Sequence, residues 1–366
     1  MVPGRESPPG CKSLSYSLRS GEPSSGIPAH QGVLEDTAGR FPIHIGAVRP
    51  AKQKGGDFLI VYRELSSLAR DLGLDAKLLY AVSNSLDRHY RQVCLPKKDG
   101  GVRTLSIPDQ LLKTIQRRIT QVLLVHMPVS PYATAYRYGG SAWRNAAPHV
   151  GQPALLKLDI RHFFDSILYA TVKERAFPPE IYAEPLRILL TMLCYYRQSL
   201  PQGAPSSPAI TNIILSGFDQ EVGAWCAGKG IRYTRYCDDM TFSGLFSPEE
   251  VTAFAEARLR PFGLFLNGRK TRFIPAGRRQ VVTGLVVNET VGVPAHYLRA
   301  LRQELYYCRK FGVSGHMARL GIPEPEGRYL TRLLGRVNYV LQVTPEKREF
   351  QQARAWLLQA LAHCEG

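Results

Sequence analysis

Three aspartates carry the strongest chemical signal in this sequence. Asp238 and Asp239 are adjacent within "RYTRYCDDMTFSG", and Asp159 closes the apolar run "ALLKLD". Neighbouring carboxylates repel, and burying either without a partner costs several kcal/mol. A lone Asp-Asp pair is usually a solvated turn, but Tyr236, Met240 and Phe242 around this one point to a packed hairpin. Strand side chains alternate between faces, so two adjacent aspartates cannot both meet one ligand in mid-strand. At a tight turn that restriction relaxes, and both can approach the end of a neighbouring strand that carries Asp159. Three converging carboxylates make an oxygen-rich anionic site suited to a hard divalent cation, above all Mg²⁺. Two such ions, about 4 Å apart, would stabilise the attacking and leaving oxygens of an in-line phosphoryl displacement.

The rest of the chain must position these acids. Its 366 residues, 44% of them hydrophobic, suffice for a large core in two or three subdomains. A net charge of +17 points to a polyanionic partner, with nucleic acid first among the candidates. Seven scattered cysteines, none in a CxxC pair, fit neither a disulfide framework nor a zinc site and suggest the reducing cytoplasm. No apolar run approaches the roughly 18 residues that span a bilayer, so no membrane role is expected. The N-terminus has no apolar segment of the secretory kind. Residues 1–55, rich in Pro, Gly and Ser, read as a flexible extension or as the product of an early start codon.

Order is expected from about "DFLIVYRELSSLARDLGL", where apolar residues recur at helical spacing. Two β-rich runs flank Lys-Lys-Asp-Gly-Gly, a strong hairpin signal, and Asp109 is positioned to cap the amphipathic helix that follows. "ALLKLDIRHFFDSI" reads as a buried strand entering a helix, and "LPQGAPSSPAITNIILSGFDQEV" as a loop that becomes a helix. Beyond residue 295 the pattern is helical and Arg-rich, with apolar positions on one face and basic ones on the other. No internal repeat of solenoid period is present.

These residues, in this order, resemble the conserved boxes of reverse transcriptases. "YCDD" resembles the YxDD box, "KLDIRHFFDSI" the palm strand with the first catalytic Asp, and "LPQGAPSSP" the loop beneath template and nucleotide. "LNGRKTRF" and "KKDGGVRTLSIPDQLLKTIQRRI" resemble the next palm box and the fingers hairpin with its helix. "NAAPH" (Asn145 to His149) and "VTG" (Val282 to Gly284) fit the two signatures of bacterial retron reverse transcriptases. The resemblance implies an α+β, right-hand polymerase fold. Fingers are expected over 56–152, a palm with an antiparallel sheet and the remaining fingers elements over 153–290, and a helical, RNA-binding thumb over 291–366.

It also implies an RNA-directed DNA polymerase. Such an enzyme copies part of its own structured non-coding RNA from a 2′-OH primer into branched single-stranded DNA, uses two Mg²⁺ ions, and is associated with antiphage defence beside an effector protein. Its partners would be that RNA, the RNA–DNA hybrid and cDNA, and dNTPs. Asp159 and Asp238 become the principal metal ligands, with Asp239 completing the cluster. Arg103 becomes the triphosphate clamp, Lys97 and Lys98 beside it reading rather as a solvated hairpin tip. Phe164 becomes the ring that excludes a nucleotide 2′-OH, against a core role for Phe163. Gln202 and Gly203 would touch the nascent pair, and Lys270 would neutralise or protonate pyrophosphate unless it is a plain surface lysine. Asn145, His149, Val282, Thr283 and Gly284 are assigned to RNA recognition, with local folding left open for Asn145 and His149. Competing readings are a diversity-generating or abortive-infection enzyme, which the retron signatures oppose, and a catalytically idle RNA-binding scaffold, which the three acids oppose. The lack of a long segment after the thumb is expected to separate the chain from group II intron proteins.

Overall fold

The computed structural model describes residues 61–96 and 101–364; the expectations for residues 1–55 and for Lys97 and Lys98 lie outside the described residues. The expected hairpin is present as β1 (Tyr90–Pro96) and β2 (Val102–Pro108), paired antiparallel from Tyr90 opposite Pro108 to Pro96 opposite Val102. Its base is anchored where the Tyr90 ring stacks on Tyr196 at 4.1 Å, while its outer half is largely exposed. Asp109 does cap the helix Gln110–Val122: its Oδ1 accepts the Leu112 N–H at 2.8 Å. Such a cap stabilises a helix by about 1 kcal/mol. Leu112, Ile115 and Ile119 form that helix's buried stripe.

The central sheet has the order β4-β5-β3-β6, with every neighbouring pair antiparallel. Its strands are β3 (Ala154–Asp159), β4 (Arg232–Tyr236), β5 (Asp239–Ser243) and β6 (Arg272–Pro275). The alternation of side chains makes this sheet a partition between two hydrophobic cores. Leu156 and Leu158 of β3 join Tyr233, Met240 and Phe242 in the first core, which continues into the helices before and around the sheet. Leu155 points the other way and joins a second core with Ala146, Val282, Leu285 and Val287. That second core runs through the helices Ala295–Phe311, Val313–Leu320, Glu326–Val343 and Arg348–Cys364. The small hairpin of β7 (Val281–Val282) and β8 (Leu285–Val286) thus packs with the C-terminal helices, although it precedes residue 291. Among the described residues no helix is long and apolar enough to cross a membrane.

The second face of the sheet is polar near β4 and β5. Thr234 and Ser243 there flank His149, which is fully buried. Its Nδ1 lies 2.7 Å from Ser243 Oγ and its Nε2 2.8 Å from Thr234 Oγ1, so one ring nitrogen donates and the other accepts. Burial, with a contribution from Arg232, pushes the imidazole pKa down from 6.5 to about 3. The unfolded chain takes up a proton here below about pH 6.5, and the folded one resists until about pH 3. Stability is therefore complete above pH 6.5 and falls on acidification through that window, at up to about 1.4 kcal/mol per pH unit from this residue. Chemical denaturation at pH 7.5, 6 and 5 should give a flatter acid dependence for His149→Gln than for the wild type. Equal slopes would contradict the assignment.

Candidate active site

The site forms where β3 and the β4–β5 hairpin end together. Asp159 and Asp239 are directly opposed in the β3–β5 ladder, which places them on one face. Asp238 belongs to the two-residue turn between β4 and β5, and its carbonyl accepts the Ile160 N–H at 3.1 Å. The turn starts at Cys237 with φ of +61°, a region that favours glycine, so Cys237 holds a strained backbone. From the far side of β3, Asn267 donates its backbone N–H to the Asp159 carbonyl at 2.8 Å and its side-chain amide to Oδ1 at 3.3 Å. The Lys270 ammonium donates to Asp159 Oδ2 at 2.8 Å.

The carboxylates sit in unbalanced negative charge. Burial, then repulsion from Asp239 and Asp159, raises the Asp238 pKa from 3.8 to about 6. Burial also raises Asp239, with Asp159 adding and Lys157 opposing. Lys270 is raised in turn: its partial burial opposes its charge, but the bond to Asp159 and the nearby acids outweigh that. Among the described residues no group of three or more His, Cys, Asp or Glu side chains is drawn together closely enough to hold a metal by itself. The donor set nevertheless fits a hard cation shared with substrate phosphates. It is all oxygen, it carries excess negative charge, and Mg²⁺ typically takes only one or two carboxylates and fills its remaining positions with water and phosphate.

What holds the turn lies on the other face of the sheet. Arg235 and Asp219 are both fully buried. Arg235 donates through Nε and Nη2 to the two Asp219 oxygens at 2.8 and 2.6 Å. Its Nη1 donates to the Cys237 carbonyl at 2.9 Å and to Asn212 Oδ1 at 3.2 Å. The Tyr233 hydroxyl donates to Asp219 Oδ1 at 2.8 Å. Burial opposes the guanidinium charge, yet Asp219 more than compensates and raises its pKa. Asp219 comes from the helix Ser216–Gly228 and Asn212 from the helix Ser207–Ile214, so two helices and β4 are tied to one turn carbonyl.

The other expected contacts are distributed around this centre. Phe164 is half-buried beside Phe163, at 5.4 Å between centroids, and its carbonyl accepts the Leu200 N–H at 3.2 Å. This brings the Gln202–Gly203 loop alongside, with Gln202 Nε2 in a long contact of 3.4 Å to Asp165 Oδ1. Gly203 has φ of +117°, and a Cβ there would lie 3.2 Å from the Ser106 carbonyl of β2. Arg103 is exposed on that same strand, and no hydrogen bond or ion pair joins it to the acids. Asn145, His149 and Val282 are buried, at 1%, 0% and 0% exposure, which favours the local-folding role left open for Asn145 and His149. Thr283 is half-buried, and Gly284 alone of that set is exposed.

Several residues of this site escape a reading of the sequence. Arg235 and Asp219 look like ordinary charged positions, and only their placement among apolar neighbours, Arg235 between Tyr233 and Met240 and Asp219 after Phe218, hints at burial. Asn267 carries no such signal.

Comparison with known proteins shows the family. The family model described as reverse transcriptase (RNA-dependent DNA polymerase) matches residues 95–297. The chain is 33% identical to the retron Mx65 reverse transcriptase of Myxococcus xanthus, over 80% of this chain and 71% of that one. It is 30% identical to the retron Ec86 reverse transcriptase of Escherichia coli, over 71% of this chain and 83% of that one. Among solved structures, a telomerase from Candida albicans aligns with a TM-score of 0.41 at 12% identity, over 74% of this chain and 56% of that one, a likeness too loose to argue from.

The buried pair makes its own prediction. Removing one partner leaves an uncompensated buried charge, so Arg235→Met or Asp219→Asn should cost about 3–5 kcal/mol in urea unfolding. Arg235→Met combined with Asp219→Leu should cost less than the sum of the single changes. Single variants within 1 kcal/mol of wild type, a figure on the order of an exposed pair, would show that the pair is not the brace described.

Proposed function

The chain belongs to the reverse transcriptase family, among the retron enzymes, and it is an RNA-directed DNA polymerase; we propose that it copies part of its own structured non-coding RNA into branched single-stranded DNA, starting from a 2′-hydroxyl of that RNA. The observation that supports the chemistry is that Asp159 and Asp239 are paired across β3 and β5, with Asp238 in the adjoining turn feeling the charge of both and Lys270 against Asp159. The strand and turn would hold two carboxylates toward Mg²⁺, chiefly Asp159 and Asp238, with Asp239 adding negative charge. When bound, two such ions would supply electrostatic stabilisation of the attacking and leaving oxygens.

The chain's own groups take the remaining tasks. Phe164 would close the space beside the sugar 2′ position and so favour dNTPs. Gln202 and Gly203 would line the base pair, Gly203 because only a residue without a side chain lets the loop lie against β2. Arg103, on the fingers, would clamp the triphosphate in the forked geometry that suits Arg. Lys270 would move from Asp159 toward the departing pyrophosphate as negative charge builds there. The fingers would comprise residues 56–152, the palm 153–290 and the thumb 291–366. The C-terminal helices would meet the RNA by phosphate, shape and 2′-OH contacts. A role in antiphage defence beside an effector protein completes the proposal.

Expressing the gene with its native flanking DNA should yield a short DNA, visible on a denaturing gel, that shifts after treatment with debranching enzyme and disappears in Asp238→Asn. Purified Asp238→Asn should still bind RNA. A DNA that survives Asp238→Asn would contradict the role of this acid. Extension of an artificial primed template without any branched product would retain the polymerase and reject the RNA-primed reading. Phe164→Ala should raise ribonucleotide incorporation about tenfold or more, since the ring would act by excluding a hydroxyl; unchanged selectivity would reduce Phe164 to core packing.

A further inference from the structure

The "NAAPH" and "VTG" segments, remote in sequence, meet in the structure. The β7–β8 hairpin turns through Thr283 and Gly284 with φ of +44° and +82°. A hairpin with two left-handed turn residues usually takes Asn-Gly or Gly-Gly. Threonine is β-branched, and in this region it is an outlier that surrounding contacts must hold. Those contacts are present. Asn145 Nδ2 lies 3.4 Å from Thr283 Oγ1, and the Thr283 hydroxyl donates to the Ala142 carbonyl at 3.1 Å.

The same asparagine faces the catalytic strand on its other side. The Thr134 hydroxyl lies 2.6 Å from Asn145 Oδ1 and 3.0 Å from the Arg235 carbonyl, and the Thr134 N–H donates to that carbonyl at 2.9 Å. Arg235 in turn donates to the Cys237 carbonyl in the turn that carries Asp238. A continuous path of hydrogen bonds therefore runs from the strained Thr283 turn, through Asn145 and Thr134, to the strand beside the acids. The path also crosses between the two hydrophobic cores, since Val282 and Leu285 belong to the second and Tyr233 to the first.

We propose that Asn145, Thr283 and Thr134 form a positioning latch that fixes the β7–β8 hairpin, and with it the C-terminal helices, relative to the catalytic turn. These side chains touch no substrate. They set where a nucleic acid gripped by the C-terminal helices comes to rest against Asp159 and Asp238. The inference rests on the polymerase reading for its consequence, but on hydrogen-bond geometry alone for the link.

The test compares Thr283→Val, which keeps the shape and strain and deletes the hydroxyl, with Thr283→Ser, which keeps the hydroxyl. Steady-state extension of an annealed RNA-templated DNA primer should show the KM for primer–template raised about tenfold in Thr283→Val, with kcat changed about threefold or less, as expected when a buried hydrogen bond acts on placement and not on chemistry. Thr283→Ser should remain within about threefold of wild type. Asn145→Ala combined with Thr283→Val should be no worse than the worse single variant, because both break one path. The Kd for a labelled RNA–DNA hybrid should follow the same order. That readout needs no chemistry, so a chain unable to polymerise would sink the polymerase reading and still report on the latch. Thr283→Val matching Thr283→Ser in both readouts, a fall confined to kcat, or losses at Asn145 and Thr283 that multiply independently would each overturn the proposal.

Discussion

A guanidinium buried under a strand turn organises this molecule. Arg235 cannot stay charged out of water without a partner, and Asp219, equally buried, supplies it while accepting the Tyr233 hydroxyl as well. Once paired, the guanidinium has one nitrogen left to spend on the chain itself, and it spends it on the Cys237 carbonyl. That bond faces a backbone held at positive φ, and with Ile160 gripping the next carbonyl it defines the path of the turn. Replacing the ion pair by an apolar pair would leave the core intact but would free the turn, which is where the negative charge must be placed.

The sheet then works as a divider. Its first face is apolar apart from the buried pair, and it packs against the helices that supply Asp219 and Asn212. Its second face carries Asp159, Asp239, Thr234 and Ser243, because strand alternation sends these residues away from the first core. Charge repulsion at the end of that second face is tolerated because the brace of the turn lies on the first. The acids do not hold the fold together, and the residues that hold it need not approach solvent. Asp238 keeps a raised pKa because it is buried and faces the Asp239 and Asp159 carboxylates, which outweigh Lys270.

The legible part of this design is whatever follows a local period or a turn chemistry. The β1–β2 hairpin, the Asp109 cap, the buried strand that ends at Asp159 and the tight turn at Asp238 were all readable from residue order, since each depends on neighbours within a few positions. The support was not. Asp219 and Arg235 are sixteen residues apart and on different elements, and a charge gives no sign of its partner until the helix folds over the strand. The same holds for Asn145 and Thr283, 138 residues apart. The resemblance of their segments to the retron signatures suggested recognition of RNA. For Asn145 and His149 local folding was open beside it, and their burial favours that alternative. The packing of the β7–β8 hairpin was hidden for a related reason: two short strands show little periodicity, and their place is decided by which core receives Val282 and Leu285.

The most direct test of the central claim is single-nucleotide incorporation by Arg235→Lys. Lysine keeps the charge that Asp219 requires but lacks the fork that reaches both that carboxylate and the Cys237 carbonyl. If the guanidinium positions the turn, kcat should fall by about tenfold or more, with the circular dichroism spectrum and the affinity for an RNA–DNA hybrid preserved. Incorporation at the wild-type rate by a folded Arg235→Lys protein would show that the turn holds its shape without the brace, and would contradict the account.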